Sequence, residues 1–146
     1  MENNMEELIA QLALRVRLFR DSRGKEPSVK GLSERELSFL EYIDMKGDTS
    51  FSILSSFFKN ISASTVSNTM KKLYKKGLII RKEDPEDLRT IIISITEEGT
   101  RILEQIKKER MHIFEMIVLA LKLEEVEERV LYKVIPKAIR NFDEWI

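Results

Sequence analysis

The stretch SASTVSNTMKKLYKKGLIIRK, residues 62–82, carries six basic side chains and no acidic one. Lys71, Lys72 and Lys75 follow the hydroxyl and amide groups of Ser62, Ser64, Thr65, Ser67 and Asn68. Such a set suits recognition rather than bond making. Ammonium groups attract phosphate as point charges, and short hydroxyl and amide groups hydrogen-bond polar edges or phosphate oxygens. Residues 49–82 hold seven basic groups and no carboxylate, although the whole chain balances 25 basic against 25 acidic residues. The flanks carry the compensating acids: residues 83–96 are net −3, and 1–48 and 97–146 are net −2 each. A polyanion would meet a positive middle in a neutral molecule. The alternative is that lysines near a helix C-terminus complement its dipole and solvate a surface, but solvated surfaces usually mix signs.

Other reactive side chains are sparse. The chain has no cysteine, which excludes disulfides, thiolate zinc sites and thiol redox sensing. It has one histidine, His112, in RMHIFEM. Catalysis there would need a nucleophile or carboxylate partner that no nearby motif supplies, and a zinc site would need three or four ligands. A place at a helix–helix interface, or more remotely a pocket-lining donor or pH-sensitive contact, are the readings left for His112. The chain reads as neither an enzyme nor a metalloprotein, and no cofactor is expected. Its acidic start, MENNMEELIAQL, does not read as a secretory signal. No apolar run approaches the ~20 residues of a membrane span. A cytoplasmic location and no membrane partner are the expectations.

The elements that must position these groups are mostly helical. Met5, Leu8, Ile9, Leu12, Ala13, Val16 and Phe19 predict a first helix over about 3–21, followed by a loop with Gly24, Pro27 and Gly31. Ser33 and Glu36 form a capping-box pattern that starts a helix running to about Met45, ended by Gly47. Residues 50–58 suit a short helix with Ile53, Leu54, Phe57 and Phe58 inward. After a tight turn, Ser62 caps a helix that stops at Gly77 and buries Val66, Met70 and Leu73. The runs LIIRK and TIIISI predict a hairpin with Pro85 at its tip. Thr96 caps a long helix to about Leu121, apolar on most sides in its second half. The last helix places Val126, Val130, Leu131, Val134, Ile135, Ala138, Ile139 and Phe142 on one face, and Pro136 inside it predicts a bend.

Two short helices joined by a tight turn, then a hairpin, make a winged helix-turn-helix, and a helix of this width fits the major groove of a DNA duplex. The segments LSERELSFLEYI, SILSSFF, ISASTVSNTMKKLYKKGLIIR and DPEDLRTIIISITEEG, in that order, resemble the MarR family of transcriptional regulators. The resemblance spans about residues 32–103. Its most specific parts are Asp87-Leu88-Arg89 followed by Ile93, Ile95 and Thr96, and the Ser62, Ser64, Thr65, Leu73, Gly77, Leu78 spacing.

The resemblance implies a mainly α fold with a small β-hairpin wing. Residues 32–97 would form the winged DNA-binding domain, and 1–23 with 98–146 a helical dimerisation region. A homodimer would read a pseudo-palindromic duplex, with promoter occlusion and hence repression as the expected outcome. Ser62, Ser64, Thr65, Ser67, Asn68, Lys71, Lys72, Lys75 and Arg89 would contact DNA, and Asp87 would orient Arg89. The alternative for Asp87 and Arg89 is that they only brace the hairpin. A small aromatic effector is a further implied partner, with Phe19, Phe39, Tyr42, His112 and Met116 as candidate lining residues; such a stripe is usually a core pattern. Three residues depart from the family pattern. Asn68 stands where arginine is common, Glu86 occupies a hairpin tip that is usually basic, and Ser55 replaces a customary alanine. A carboxylate is repelled from the narrow, negative minor groove. The rival reading is therefore a winged-helix protein-interaction module with weak or no DNA binding.

Overall fold

The computed structural model describes residues 4–19 and 30–145. In chain order the elements are α1 (Met5–Phe19), α2 (Glu34–Lys46), β1 (Thr49–Ser50), α3 (Phe51–Phe57), α4 (Ala63–Lys75), β2 (Ile79–Glu83), β3 (Ile91–Ile95), α5 (Glu97–Leu121) and α6 (Glu125–Trp145). The expected extension of the first helix past residue 19 and the loop with Gly24 and Pro27 lie outside the described residues. The chain divides into a winged unit, from α2 to the first part of α5, and a helical unit of α1, the remainder of α5, and α6.

Local signals set the ends of the winged unit's helices. The Ser33 hydroxyl accepts from the Glu36 N–H at 3.1 Å, and the Glu36 carboxylate accepts from the Ser33 N–H at 3.1 Å, completing the capping box of α2. At the end of α4, Gly77 adopts φ 73°, a left-handed conformation that costs glycine little. The Leu78 N–H then reaches the Leu73 carbonyl at 3.1 Å, and the Gly77 N–H reaches Tyr74 at 3.0 Å, a Schellman closure. Thr96 caps α5 by accepting from the Gly99 N–H at 3.0 Å, and its own hydroxyl donates to the Gly77 carbonyl at 2.7 Å. One threonine thus ties the start of α5 to the end of α4.

β2 and β3 pair antiparallel from Ile79↔Ile95 to Glu83↔Ile91. β1, which the sequence pattern did not reveal, adds a third strand beside β3 through Thr49↔Ile93 and Ser50↔Ile92. The core beneath this sheet is apolar and closed: Leu37, Phe39, Leu40, Ile43, Leu54, Val66, Leu73, Leu78, Ile79 and Ile93 are all buried. The expected α3 pattern is half right. Leu54 and Phe58 are buried, but Ile53 is 51% exposed, because a helix of only seven residues presents a narrow inner face. Ser55 carries a buried hydroxyl with no hydrogen-bond partner among the described residues, so this departure from alanine places a polar atom toward the core.

In the helical unit α1 packs along α6. Met5, Leu8, Ile135 and Ile139 form the buried cluster, with Ile9, Leu12, Val118, Leu123 and Leu131 against it. Arg15 holds Asp143 through two bonds, 3.0 Å from Nε and 3.3 Å from Nη2. α6 runs unbroken through Pro136. The single apolar face expected for α6 is only partly covered within the chain: Val126, Val130 and Val134 are exposed.

Candidate nucleic-acid interface

The core stripe of α4 dictates what the helix shows to solvent. With Val66, Thr69, Met70 and Leu73 buried, rotation of about 100° per residue turns Ser64, Asn68, Lys71 and Lys75 to the opposite side, within roughly 60° of one another. Ser64, Asn68, Lys71, Lys72 and Lys75 are exposed, while Thr65 and Ser67 are half-buried. Ser62 is exposed but its hydroxyl is already engaged. It accepts from the Thr65 N–H at 3.2 Å, donates to the Thr65 hydroxyl at 2.8 Å, and lies 3.2 Å from the Ser64 hydroxyl. Ser62 therefore acts first as the cap that starts the helix.

The basic residues divide into two groups. Lys71, Lys72 and Lys75 pair with no carboxylate among the described residues. Lys76 turns away to the Glu36 carboxylate at 2.5 Å and the Gly31 carbonyl at 2.8 Å. Lys82 lies 3.5 Å from Asp48, whose other oxygen accepts from the Ser94 hydroxyl at 2.6 Å. Arg81 sits 4.9 Å above the Tyr74 ring, a cation–π contact that holds its charge beside α4.

Two depressions flank α4. On the wing side a cleft of about 530 Å³ lies between α4 and the sheet, with Phe51, Tyr74, Ile91, Lys75 and Arg81 among its walls. On the α2 side a smaller, polar notch of about 260 Å³ is lined by Ser33, Arg35, Glu36, Thr65, Asn68, Thr69 and Lys72. Only Asn68 and Lys72 line both, so they stand on the ridge between them. Sequence reasoning passed over Phe51, Tyr74, Arg81 and Arg35. For Arg81 a signal existed: it shares a strand face with buried Ile79, two residues earlier.

The hairpin tip is internally bonded. Asp84 accepts from the Glu86 N–H at 2.9 Å. Asp87 accepts from the Arg89 N–H at 3.1 Å, from Arg89 Nε at 3.3 Å and from the Thr90 hydroxyl at 3.3 Å. These bonds, the Arg89 N–H foremost, hold the Asp87 carboxyl below its usual range. The Arg89 side chain is 93% exposed, so its guanidinium projects from a braced turn. Both functions weighed for Asp87, orienting Arg89 and bracing the hairpin, have geometry behind them.

The candidate effector residues divide between the two units. Phe39 is fully buried and stacks on Phe58 with centroids 4.3 Å apart; Tyr42 stacks on Phe57 at 4.5 Å. Burial also raises the Tyr42 hydroxyl above its ordinary range. His112 and Met116 are exposed on the part of α5 that belongs to the helical unit, with His112 3.7 Å from Glu115. The Phe19 side chain lies outside the described residues. Among the described residues no three histidine, aspartate or glutamate side chains gather as a metal site.

A capped helix with an unpaired basic face, set between a second helix and a braced hairpin, defines a winged helix-turn-helix protein of the DNA-binding class. Comparison with known proteins agrees. Residues 32–91 match the MarR family model. The chain is 30% identical over 108 residues to the uncharacterized HTH-type transcriptional regulator YdgG of Bacillus subtilis (strain 168), covering 73% of this chain and 67% of that protein. It is 28% identical over 120 residues to the HTH-type transcriptional regulator MhqR of the same organism, covering 82% of each. Its fold is like that of Streptococcus pneumoniae FabT in complex with DNA, with a TM-score of 0.60, 20% identity and 97% of each chain covered. Transcriptional regulator Tm0710 from Thermotoga maritima also has a TM-score of 0.60, at 23% identity over 95% of this chain and 89% of that one. The chain belongs to the MarR family, and is a DNA-binding transcriptional regulator rather than an enzyme. Among the described residues no helix is long and apolar enough to cross a membrane.

Proposed function

We propose that the protein works as a homodimer that occupies a pseudo-palindromic operator and represses by occluding a promoter. In this reading α4 lies in the major groove, and Lys71, Lys72 and Lys75 contact phosphates. The winged domain of residues 32–97 binds the duplex, and the helices of 1–23 and 98–146 hold the pair together. The observation that carries it is the outward face of α4, where three exposed lysines lack carboxylate partners among the described residues. Arg89 extends the contact from the wing, and Arg35, beside Lys72 in the polar notch, adds a cation on the α2 side. The exposed Val126, Val130 and Val134 on α6 supply an apolar stripe for a partner subunit. Release by a small aromatic effector is the part of this reading that rests on family likeness, since Phe39 and Tyr42 are core groups here.

Binding to duplex DNA measured against salt tests the reading. Each phosphate contact steepens the loss of affinity with salt, with a slope of about −0.9 per neutralised phosphate. Lys71→Glu with Lys72→Glu is expected to abolish binding at 0.1 M salt without altering the oligomeric state seen by light scattering. Unchanged binding would remove α4 from the interface. No binding by the parent protein at low salt would favour the interaction-module reading, which the acidic wing tip supports.

A further inference from the structure

We infer that Asn68 reads an adenine in each half-site, making it the residue of α4 that discriminates between base pairs. This rests on the DNA-binding reading above. The structure narrows the choice by removing the other polar groups. Ser62, Ser64 and Thr65 share local hydrogen bonds, and Thr69 is buried and donates to the Thr65 carbonyl at 2.8 Å. Ser67 is half-buried against the wing-side cleft, and a hydroxyl serves any base because it both donates and accepts. The lysines are flexible point charges suited to phosphate.

Asn68 differs from all of these. It is exposed, its side-chain amide has no intramolecular hydrogen bond among the described residues, and it stands on the ridge between the two depressions beside α4. It lies in the first half of the helix, the part that meets base edges when a recognition helix enters the major groove. Its planar amide offers one donor group and one acceptor side by side. Adenine presents the complement in that groove, the N6 amino donor beside the N7 acceptor. Guanine presents two acceptors, O6 and N7, and would leave the Asn68 carbonyl oxygen facing a lone pair. Lys72 beside it and Lys71 and Lys75 on the same face would hold the backbone while the amide reads.

The test is selection of bound duplexes from a randomised library, using the full chain and its N68A variant, followed by titration of single base-pair changes. The parent protein is expected to enrich an A·T pair at one position of each half-site. Changing that pair to G·C should weaken binding about 5- to 150-fold. In N68A the same change should matter less than about twofold, while the salt slope of duplex binding stays as in the parent, because the substitution removes an uncharged group. An N68A variant that keeps the full preference at every position would overturn the inference and leave DNA binding standing. A parent protein that binds no duplex at low salt would defeat both.

Discussion

Lys76 shows how neighbouring residues of one type take different roles. Its stem points back from the C-terminal cap of α4 to Glu36, a buried carboxylate in the first turn of α2. Burial alone would raise the Glu36 carboxyl, but the Lys76 hydrogen bond, the Ser33 N–H and hydroxyl bonds, and the Lys76 charge together bring it below its usual 4.5. A carboxyl depressed in the folded state stabilises that state above its unfolded pKa, and the contribution disappears as pH falls through the lowered folded value. Lys76→Met keeps the apolar stem and removes the charge. It is expected to cost about 1–2 kcal/mol at pH 7 in urea denaturation, toward the lower end because Lys76 is partly solvated. The gap between variant and parent should close below pH 4.5. The salt slope of DNA binding should be unchanged, because this ammonium faces α2 rather than the duplex; a shallower slope would return Lys76 to the interface.

Elements meet at Gly99, in the first turn of α5. A Cβ there would press on the Leu78 carbonyl oxygen inside contact distance and approach Ile95 Cγ1 to 2.7 Å. Gly99→Ala would raise helix propensity by ~1 kcal/mol, but the clash is with backbone, which cannot rotate away. The expected net result is a loss of about 1–3 kcal/mol in thermal or urea unfolding, with the hairpin displaced from α5; a more stable variant would show that this junction is loose. The junction also shows what a sequence displays. Caps and stops act over three or four residues, so Ser33 with Glu36, Ser62, Gly77 and Thr96 were legible, as was the outward placement of Lys71, Lys72 and Lys75 by helical period. β1 was not legible, because two residues carry no alternation and their pairing with Ile93 and Ile92 is made across more than forty positions. The Lys76–Glu36 pair is hidden for the same reason. Ile53 was misplaced because apolar character alone does not say which side of a one-face helix is covered. The effector set drew on both units: Phe39 and Tyr42 are buried in the winged unit, and His112 and Met116 are exposed on the helical one.

At the scale of the whole molecule, what remains unmatched is apolar surface on the helical unit. Val126, Val130 and Val134 repeat every four residues along α6 and are 66%, 53% and 48% exposed, and Ile113, Met116 and Ile117 on α5 are exposed as well. Leaving such a stripe in water forgoes about 25 cal/mol for each Å² that a second subunit would cover. Two winged domains joined this way would bind two half-sites, and the second contact would become intramolecular, which raises avidity by about 10²–10⁴. Val130→Glu with Val134→Glu puts two carboxylates in the middle of the stripe. It spares Met5, Leu8, Ile135 and Ile139, so the chain's own helical core should persist by circular dichroism. The expected outcome is a monomer by analytical ultracentrifugation. Its affinity for a full palindromic operator should fall about 10²–10⁴-fold, to that of the parent for an isolated half-site, with half-site affinity itself unchanged. A variant that remains a dimer would move the interface elsewhere on the chain. A monomer that still held the full operator with parental affinity would break the link between pairing and operator recognition on which repression by occlusion depends.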